Sequence, residues 1–217
     1  MAELLKINSK TPDPLLIEYA ADFIRGGQVI SIPTDTFYGL VADPYNLYAV
    51  EEIFQIKGRP GHKPILLLVA SVEQAEEMSS GDLPDHFYAL ARRFWPGPLT
   101  MVIQASRRVP LKITGNTGQV AVRLPNAKVP LALIRTMNRP LTGTSANLAG
   151  HKECSTASEV HDSMGNRLPL ILDCSESGLL LPTILLPSTI VRVTASGWEL
   201  IREGAIPAED IAELLAA

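Results

Sequence analysis

Short apolar runs that end in polar, glycine- or proline-bearing loops alternate with segments of helical spacing along the whole chain, and this alternation most constrains the fold. Val29–Ile32 and Ile65–Ala70 are apolar runs of buried-strand type. Asp13–Ile24 places Leu16, Tyr19, Ala20, Phe23 and Ile24 at helical spacing, with Pro14 near its start and Gly26–Gly27 beyond its end. Asn46–Lys57 repeats that spacing through Leu47, Val50, Ile53 and Phe54, and Ser71-Val-Glu-Gln74 has the form of a capping box. Pro84–Phe94 lines up Phe87, Leu90, Ala91 and Phe94 until Trp95-Pro-Gly-Pro98 stops it, because proline removes a backbone donor. Further strands are expected at Leu99–Gln104, Gln119–Leu124, Pro169–Asp173, Thr189–Val193 and Trp198–Ile201. Further helices are expected at Pro130–Met137, Thr156–Met164 and Pro207–Leu215. Interleaving of this kind predicts an α/β fold around one mixed sheet. With no Ser/Gly-rich linker and no internal repeat, residues 1–217 read as a single domain.

Of the 217 residues, 46% are hydrophobic and 19% charged, enough for a core that needs no disulfide or metal staple. The net charge of −4 excludes a general nucleic-acid coat, so any RNA contact requires a local patch. Cys154 and Cys174 form no C-x-x-C pair and read as thiols of a reducing compartment. Met1–Lys10 lacks the apolar core of a signal peptide, and Ile65–Ala70 and Leu179–Leu186 are too short to span a bilayer. The expectation is a soluble, cytoplasmic protein with no membrane partner.

Three stretches concentrate polar chemistry. Pro33-Thr-Asp-Thr-Phe-Tyr-Gly-Leu40 leaves a strand and gathers hydroxyls, a carboxylate and a phenol where α/β sheets dock ligands. A polar turn capped by Asp35 is the plainer alternative. Lys57-Gly-Arg-Pro-Gly-His-Lys63 crowds cations into a Gly/Pro loop at a helix end, which suits a polyphosphate. Interaction with the helix dipole accounts equally for Lys57, though not for Arg59 and Lys63. Pro140-Leu-Thr-Gly-Thr-Ser-Ala-Asn-Leu-Ala-Gly150 puts Ser145 and Asn147 two apart, on the same side of an extended segment. An Asx turn at Asn147 serves as well. Arg123 ends the run Val120–Val122, where a cleft arginine needs an anion; Ser188 opens a strand; and Arg202 has Glu203 as a local alternative partner. There is no Walker loop, no G-x-G-x-x-G and no G-x-S-x-G. His62, His86, His151 and His161 show no metal-ligand spacing.

Taken together, Pro33–Leu40, Lys57-Gly-Arg-Pro60, Val120-Ala-Val-Arg123 and Thr144-Ser-Ala-Asn-Leu148 resemble the YrdC-type threonylcarbamoyl-AMP synthase family, in order and spacing, from about Ile17 to Ile206. The resemblance implies a twisted mixed parallel/antiparallel sheet flanked by helices, with a concave basic cavity, and is to the short, single-domain form. It implies ATP, L-threonine and bicarbonate as substrates, with Mg²⁺ on the phosphates. A tRNA contact and a threonylcarbamoyl-transferase partner follow from the same likeness. By position, Lys57 and Arg59 would be catalytic. Lys57, Arg59, Lys63, Ser145, Asn147, Ser155 and Arg202 would hold ATP, with Thr156 an alternative to Ser155. Thr34, Thr36, Tyr38, Arg123, Gly143 and Ser188 would hold threonine. Departures from the family pattern are Pro187-Ser-Thr189, where glutamate often precedes the serine, Arg192, where the strand that follows often ends in aspartate, and Leu68, where several members carry histidine. Gly178–Pro187 is a candidate lid. A non-enzymatic RNA-binding module and a carbamoyl-transfer relative are the alternatives.

Overall fold

The structure, a computed structural model, describes residues 1–59, 61, 63–175 and 186–216. Residues 178–185 of the candidate lid, and Pro60 and His62 of the cationic loop, lie outside the described residues.

The strands are β1 (Glu3–Lys6), β2 (Ile30–Ile32), β3 (Gly39–Val41), β4 (Leu66–Leu68), β5 (Leu99–Gln104), β6 (Gln119–Arg123), β7 (Leu141–Ser145), β8 (Leu170–Asp173), β9 (Thr189–Thr194) and β10 (Gly197–Arg202). The helices are α1 (Pro14–Arg25), α2 (Leu47–Lys57), α3 (Val72–Glu77), α4 (Asp85–Phe94), α5 (Leu111–Thr114), α6 (Lys128–Met137), α7 (Ala157–Met164) and α8 (Ala208–Ala216). Among the described residues the strands form one mixed sheet in the order β1-β8-β2-β3-β7-β4-β6-β5-β9-β10. The pairs β1–β8, β8–β2, β4–β6 and β5–β9 are parallel; the others are antiparallel.

The expected helices and apolar strands all form, with ends shifted by a residue or two. At α3 the capping box is displaced. Ser71 Oγ accepts from Gln74 N as foreseen, but the Gln74 side chain accepts from Ala70 N at 2.8 Å, one residue earlier than a box requires. Three strands and a short helix had no counterpart in the sequence reading. β3 and β7 lie inside the polar motifs, β1 in the N-terminal segment, and α5 in a loop.

Two apolar layers sandwich the sheet. On one face α1 and α6 bury Ile17, Ala20, Ile24, Leu133 and Ile134 against Ile30, Ile32, Val41, Leu141 and Leu170. On the other, Ile53, Phe54, Phe87, Leu90, Val160 and Ile211 pack against Leu99, Met101, Val120, Val122 and Val191. Strand alternation explains the second contact set. In β5, β6 and β9 alternate residues, Leu99, Met101, Val120, Val122, Val191 and Val193, are buried in this layer, while their neighbours point the opposite way. Leu68 belongs to the α1/α6 layer and also lines a cavity. That cavity opens where the α1/α6 layer stops, over the β4–β6–β5–β9 part of the same face.

Candidate active site

The cavity has a volume of about 570 Å³. Its floor comes from the free face of the strands: Leu66 and Leu68 of β4, Thr100 and Val102 of β5, Gln119, Ala121 and Arg123 of β6, and Ile190 and Arg192 of β9. These residues sit two apart, as the pleat requires.

One corner is built by the loop between β2 and β3. Thr34 Oγ1 donates to Phe37 O at 2.6 Å and accepts from Thr36 N at 3.1 Å, a local hydroxyl turn that fixes Thr36 beside the end of β6. Arg123 then meets three oxygens. Nε donates to Gly97 O at 3.1 Å, Nη1 donates to Thr36 Oγ1 at 3.1 Å, and Nη2 lies 2.8 Å from Asp35 Oδ1. Arg123 is buried, the Asp35 oxygens are shielded from solvent, and neither of them has a further hydrogen-bond partner among the described residues. Asp35 therefore serves as counter-ion to Arg123 and caps no turn. Ser188 approaches the same floor; its Oγ shares a hydrogen bond with Thr100 Oγ1 at 2.9 Å. Arg202 Nη2 donates to Ser188 O at 2.7 Å, so it turns into the cavity rather than to Glu203, whose carboxylate accepts from Ala208 N.

The part of the wall that carries Ser145 is held from behind by Lys57. Helix α2 ends on Gly58 at φ +58°, the left-handed conformation that glycine tolerates best. Lys57 itself is buried, 4% exposed. Its Nζ donates to Ser145 O, to Asn147 O at 2.8 Å and to Asn147 Oδ1 at 3.1 Å. An ammonium has three N–H donors, so these acceptors use all of them. Burial, reinforced by the nearby Arg59 charge, pushes Lys57 down to about 8, with partial opposition from Glu153. Ser145 Oγ donates to Asn147 Oδ1, and Asn147 Nδ2 donates to His151 O at 2.6 Å. Arg59 Nη2 donates to Pro64 O at 2.9 Å, and burial lowers its guanidinium below the usual range.

Of the residues singled out in the sequence, Thr34, Thr36, Tyr38, Arg59, Arg123, Gly143, Ser145, Ser188 and Arg202 line the cavity. Lys57 and Asn147 lie behind the wall, and Lys63 is exposed outside it. Ser155 is engaged elsewhere. Its N and Oγ both donate to Glu159, at 2.6 and 2.9 Å, and Thr156 completes a capping box on α7. Tyr38 shows the cavity its ring only, since its hydroxyl is hydrogen-bonded to Cys174 Sγ at 3.3 Å. Burial and that contact push the phenol up. Gly143 is there because a Cβ would fall 2.8 Å from Leu68 Cγ.

Sequence reasoning missed Glu153, Thr100 and Gln119, and marked Arg192 only as a departure from the family pattern. Period-two spacing in β5, β6 and β9 marks all but Glu153, once the strand face toward the cavity is known. Glu153 lies in irregular chain, where no local pattern points inward.

A family model described as "Telomere recombination", that of the Sua5/YciO/YrdC proteins, matches residues 22–204. The chain is 38% identical to the threonylcarbamoyl-AMP synthase of Pyrococcus abyssi over 199 residues, 92% of this chain and 57% of that protein. It is 33% identical to the Bacillus subtilis threonylcarbamoyl-AMP synthase over 202 residues, 93% of this chain and 56% of that one. The crystal structure of P. abyssi Sua5 complexed with L-threonine superposes with a TM-score of 0.90 at 34% identity, covering 99% of this chain and 61% of that one. The chain thus spans somewhat more than half the length of these relatives, and it belongs to the Sua5/YciO/YrdC family. No helix among the described residues is long and apolar enough to cross a membrane.

Proposed function

We propose that this chain is an L-threonylcarbamoyladenylate synthase, a nucleotidyltransferase that condenses L-threonine, bicarbonate-derived CO₂ and ATP to threonylcarbamoyl-AMP and pyrophosphate. The observation that carries the reading is the meeting, in one cavity, of the Thr36–Arg123–Ser188 corner with Arg59, Ser145 and Arg202. The first set suits an amino acid, with a guanidinium for its carboxylate and hydroxyls beside it. The second suits a polyphosphate. The names of the relatives and the threonine complex of P. abyssi Sua5 support it further.

In this reaction the neutral threonine amine attacks the carbon of CO₂, and as the C–N bond forms the nitrogen gives up a proton to solvent, leaving an N-carboxylate. One oxygen of that carboxylate attacks the α-phosphorus of ATP, and the bond to the β-phosphate bridging oxygen breaks with loss of pyrophosphate. No protein nucleophile is required. The protein's part is to bring two anions together and to stabilise charge on the leaving group. Arg59 and Arg202 offset phosphate charge, Arg123 and Thr36 orient the amino acid, and Lys57 shapes the Ser145–Asn147 turn from behind. Among the described residues the cavity's oxygen donors, hydroxyls and a single carboxylate, fit a hard cation that draws most of its coordination from phosphate and water. When bound, Mg²⁺ supplies further neutralisation of the triphosphate. The product serves threonylcarbamoyladenosine formation in tRNA, through a transferase partner that takes it over.

The test is pyrophosphate release with Mg²⁺ and bicarbonate, with threonine present, omitted or replaced by serine. Release of pyrophosphate and an adenylate only with threonine is expected. Arg59→Ala should lower kcat by about two orders of magnitude or more while the fold stays intact. Near-normal turnover in that variant would remove Arg59 from the mechanism.

A further inference from the structure

Glu153 supplies the one carboxylate among the described residues that line the cavity. Its oxygens make no hydrogen bond and no ion pair within 4.0 Å among those residues. This is unusual beside so many guanidinium groups, and the structure shows why it holds. Arg59 is turned to Pro64 O, Arg202 to Ser188 O, Arg123 to Asp35 and Arg192 to Glu199. Each arginine is tied elsewhere, which leaves the Glu153 carboxylate facing open cavity. Its charge still reaches the other cations, since it opposes the downward shifts of Lys57 and Arg202.

The backbone carrying Glu153 is anchored on both sides. Asn147 Nδ2 holds His151 O at 2.6 Å, and Tyr38 N donates to Cys154 O at 2.9 Å. The Thr156–Glu159 capping box follows immediately. An unpaired carboxylate on this anchored backbone, lining a cavity that suits a polyphosphate, would repel that ligand unless a cation lay between them. Magnesium meets this need, because it typically takes one or two carboxylates together with phosphate oxygens and keeps water in its remaining positions.

We infer that Glu153 is the protein carboxylate that holds the magnesium ion accompanying the nucleotide, an assignment that rests on the synthase reading proposed above. The experiment is calorimetric titration of the full chain with ATP, in EDTA and in excess magnesium chloride, for wild type, Glu153→Gln and Glu153→Asp. Wild type should bind ATP about tenfold or more tightly with magnesium. Glu153→Gln, which removes the charge at constant shape, should bind metal-free ATP more tightly than wild type and lose most of the magnesium gain. Glu153→Asp should keep that gain whatever its absolute affinity, an outcome that a merely structural role does not give. An equal magnesium gain in wild type and Glu153→Gln overturns the assignment. So does a Glu153→Gln variant with normal nucleotide binding but weakened threonine binding, because the carboxylate would then face the substrate ammonium. Absence of ATP binding by wild type in both media overturns the synthase reading itself, and is distinguishable from either result.

Discussion

Arg123 lines the cavity floor and Lys57 lies behind its wall, and both are 4% exposed, yet their charges are neutralised in different ways. Arg123 has a carboxylate, Asp35, at 2.8 Å, with Gly97 O and Thr36 Oγ1 at the other edges of its fork. Lys57 has no carboxylate within ion-pair distance among the described residues, and is held by two main-chain carbonyls and one amide oxygen. The difference follows from the groups themselves. A planar guanidinium stays charged at any ordinary pH, so burying it calls for a counter-ion. An ammonium can release its proton, and burial has moved Lys57 down to about 8. Arg123 presents a permanently charged edge beside Thr36, whereas Lys57 acts as a three-way clamp on a turn.

The largest expected effect comes from removing the counter-ion. Asp35→Ala leaves a buried guanidinium uncompensated, which costs about 3–5 kcal/mol of stability. For a chain of this size that corresponds to a fall in Tm of about 10 °C. Thermal or urea unfolding checks it. A loss below about 1 kcal/mol would mean that Arg123 finds other partners readily, and the contrast with Lys57 would collapse.

Lys57→Met comes next. It strands Asn147 O behind the wall and takes one of two donors from each of Ser145 O and Asn147 Oδ1, at about 2–3 kcal/mol. Amide exchange should accelerate at Ala146 and Asn147 and remain unchanged around Gly97 and Thr36. The same pair of proteins sharpens the comparison through pH. The folded value of Lys57, about 8, lies below its ordinary 10.5, so above pH 8 the unfolded chain holds a proton that the folded chain has released. Stability conferred by this site therefore rises between pH 8 and 10.5, while below 8 the full penalty of a buried charge is present. Wild type should gain on Lys57→Met across that window in denaturant titrations. A gap that stays constant from pH 7 to 10.5 would remove the titration from the account.

Much of this was legible in the chain before its fold was known. The helices and apolar strands announce themselves because periodicity is local. The polar motifs stand out because few loops need so many hydroxyls and cations. What each motif residue does was less legible, since that depends on partners distant in sequence. Lys57 reads as a phosphate ligand until β7 brings Ser145 and Asn147 against it, some ninety positions away. Ser155 reads as a nucleotide contact until α7 claims it for its cap. β3 and β7 escaped notice because Gly39–Val41 is short and Leu-Thr-Gly-Thr-Ser lacks an apolar run, their pairing being fixed by neighbours instead. Glu153 had no pattern at all, because only the tying of each arginine elsewhere leaves its carboxylate open.

The smallest expected effect sets the scale of an uncharged perturbation between the wall and the floor. Gly143 on β7 has its missing Cβ 2.8 Å from Leu68 Cγ and 3.1 Å from a Leu68 methyl. Gly143→Ala must displace Leu68 at its Cγ, one bond from a Cβ that the backbone fixes, at about 1–2 kcal/mol. Leu68→Ala alone leaves a void at the edge of the α1/α6 layer and costs about 2 kcal/mol, the low end for such truncations because Leu68 borders the cavity. In the double variant the alanine at 143 enters space that Leu68 has vacated. The two changes should then be less damaging together than their sum, by about 0.5–1 kcal/mol, as contacting residues are. Strict additivity would show that β4 and β7 shift as a unit to relieve the clash. In that event the wall carrying Ser145 is not fixed independently of the floor, and part of the loss ascribed to Lys57 belongs to the sheet beneath it.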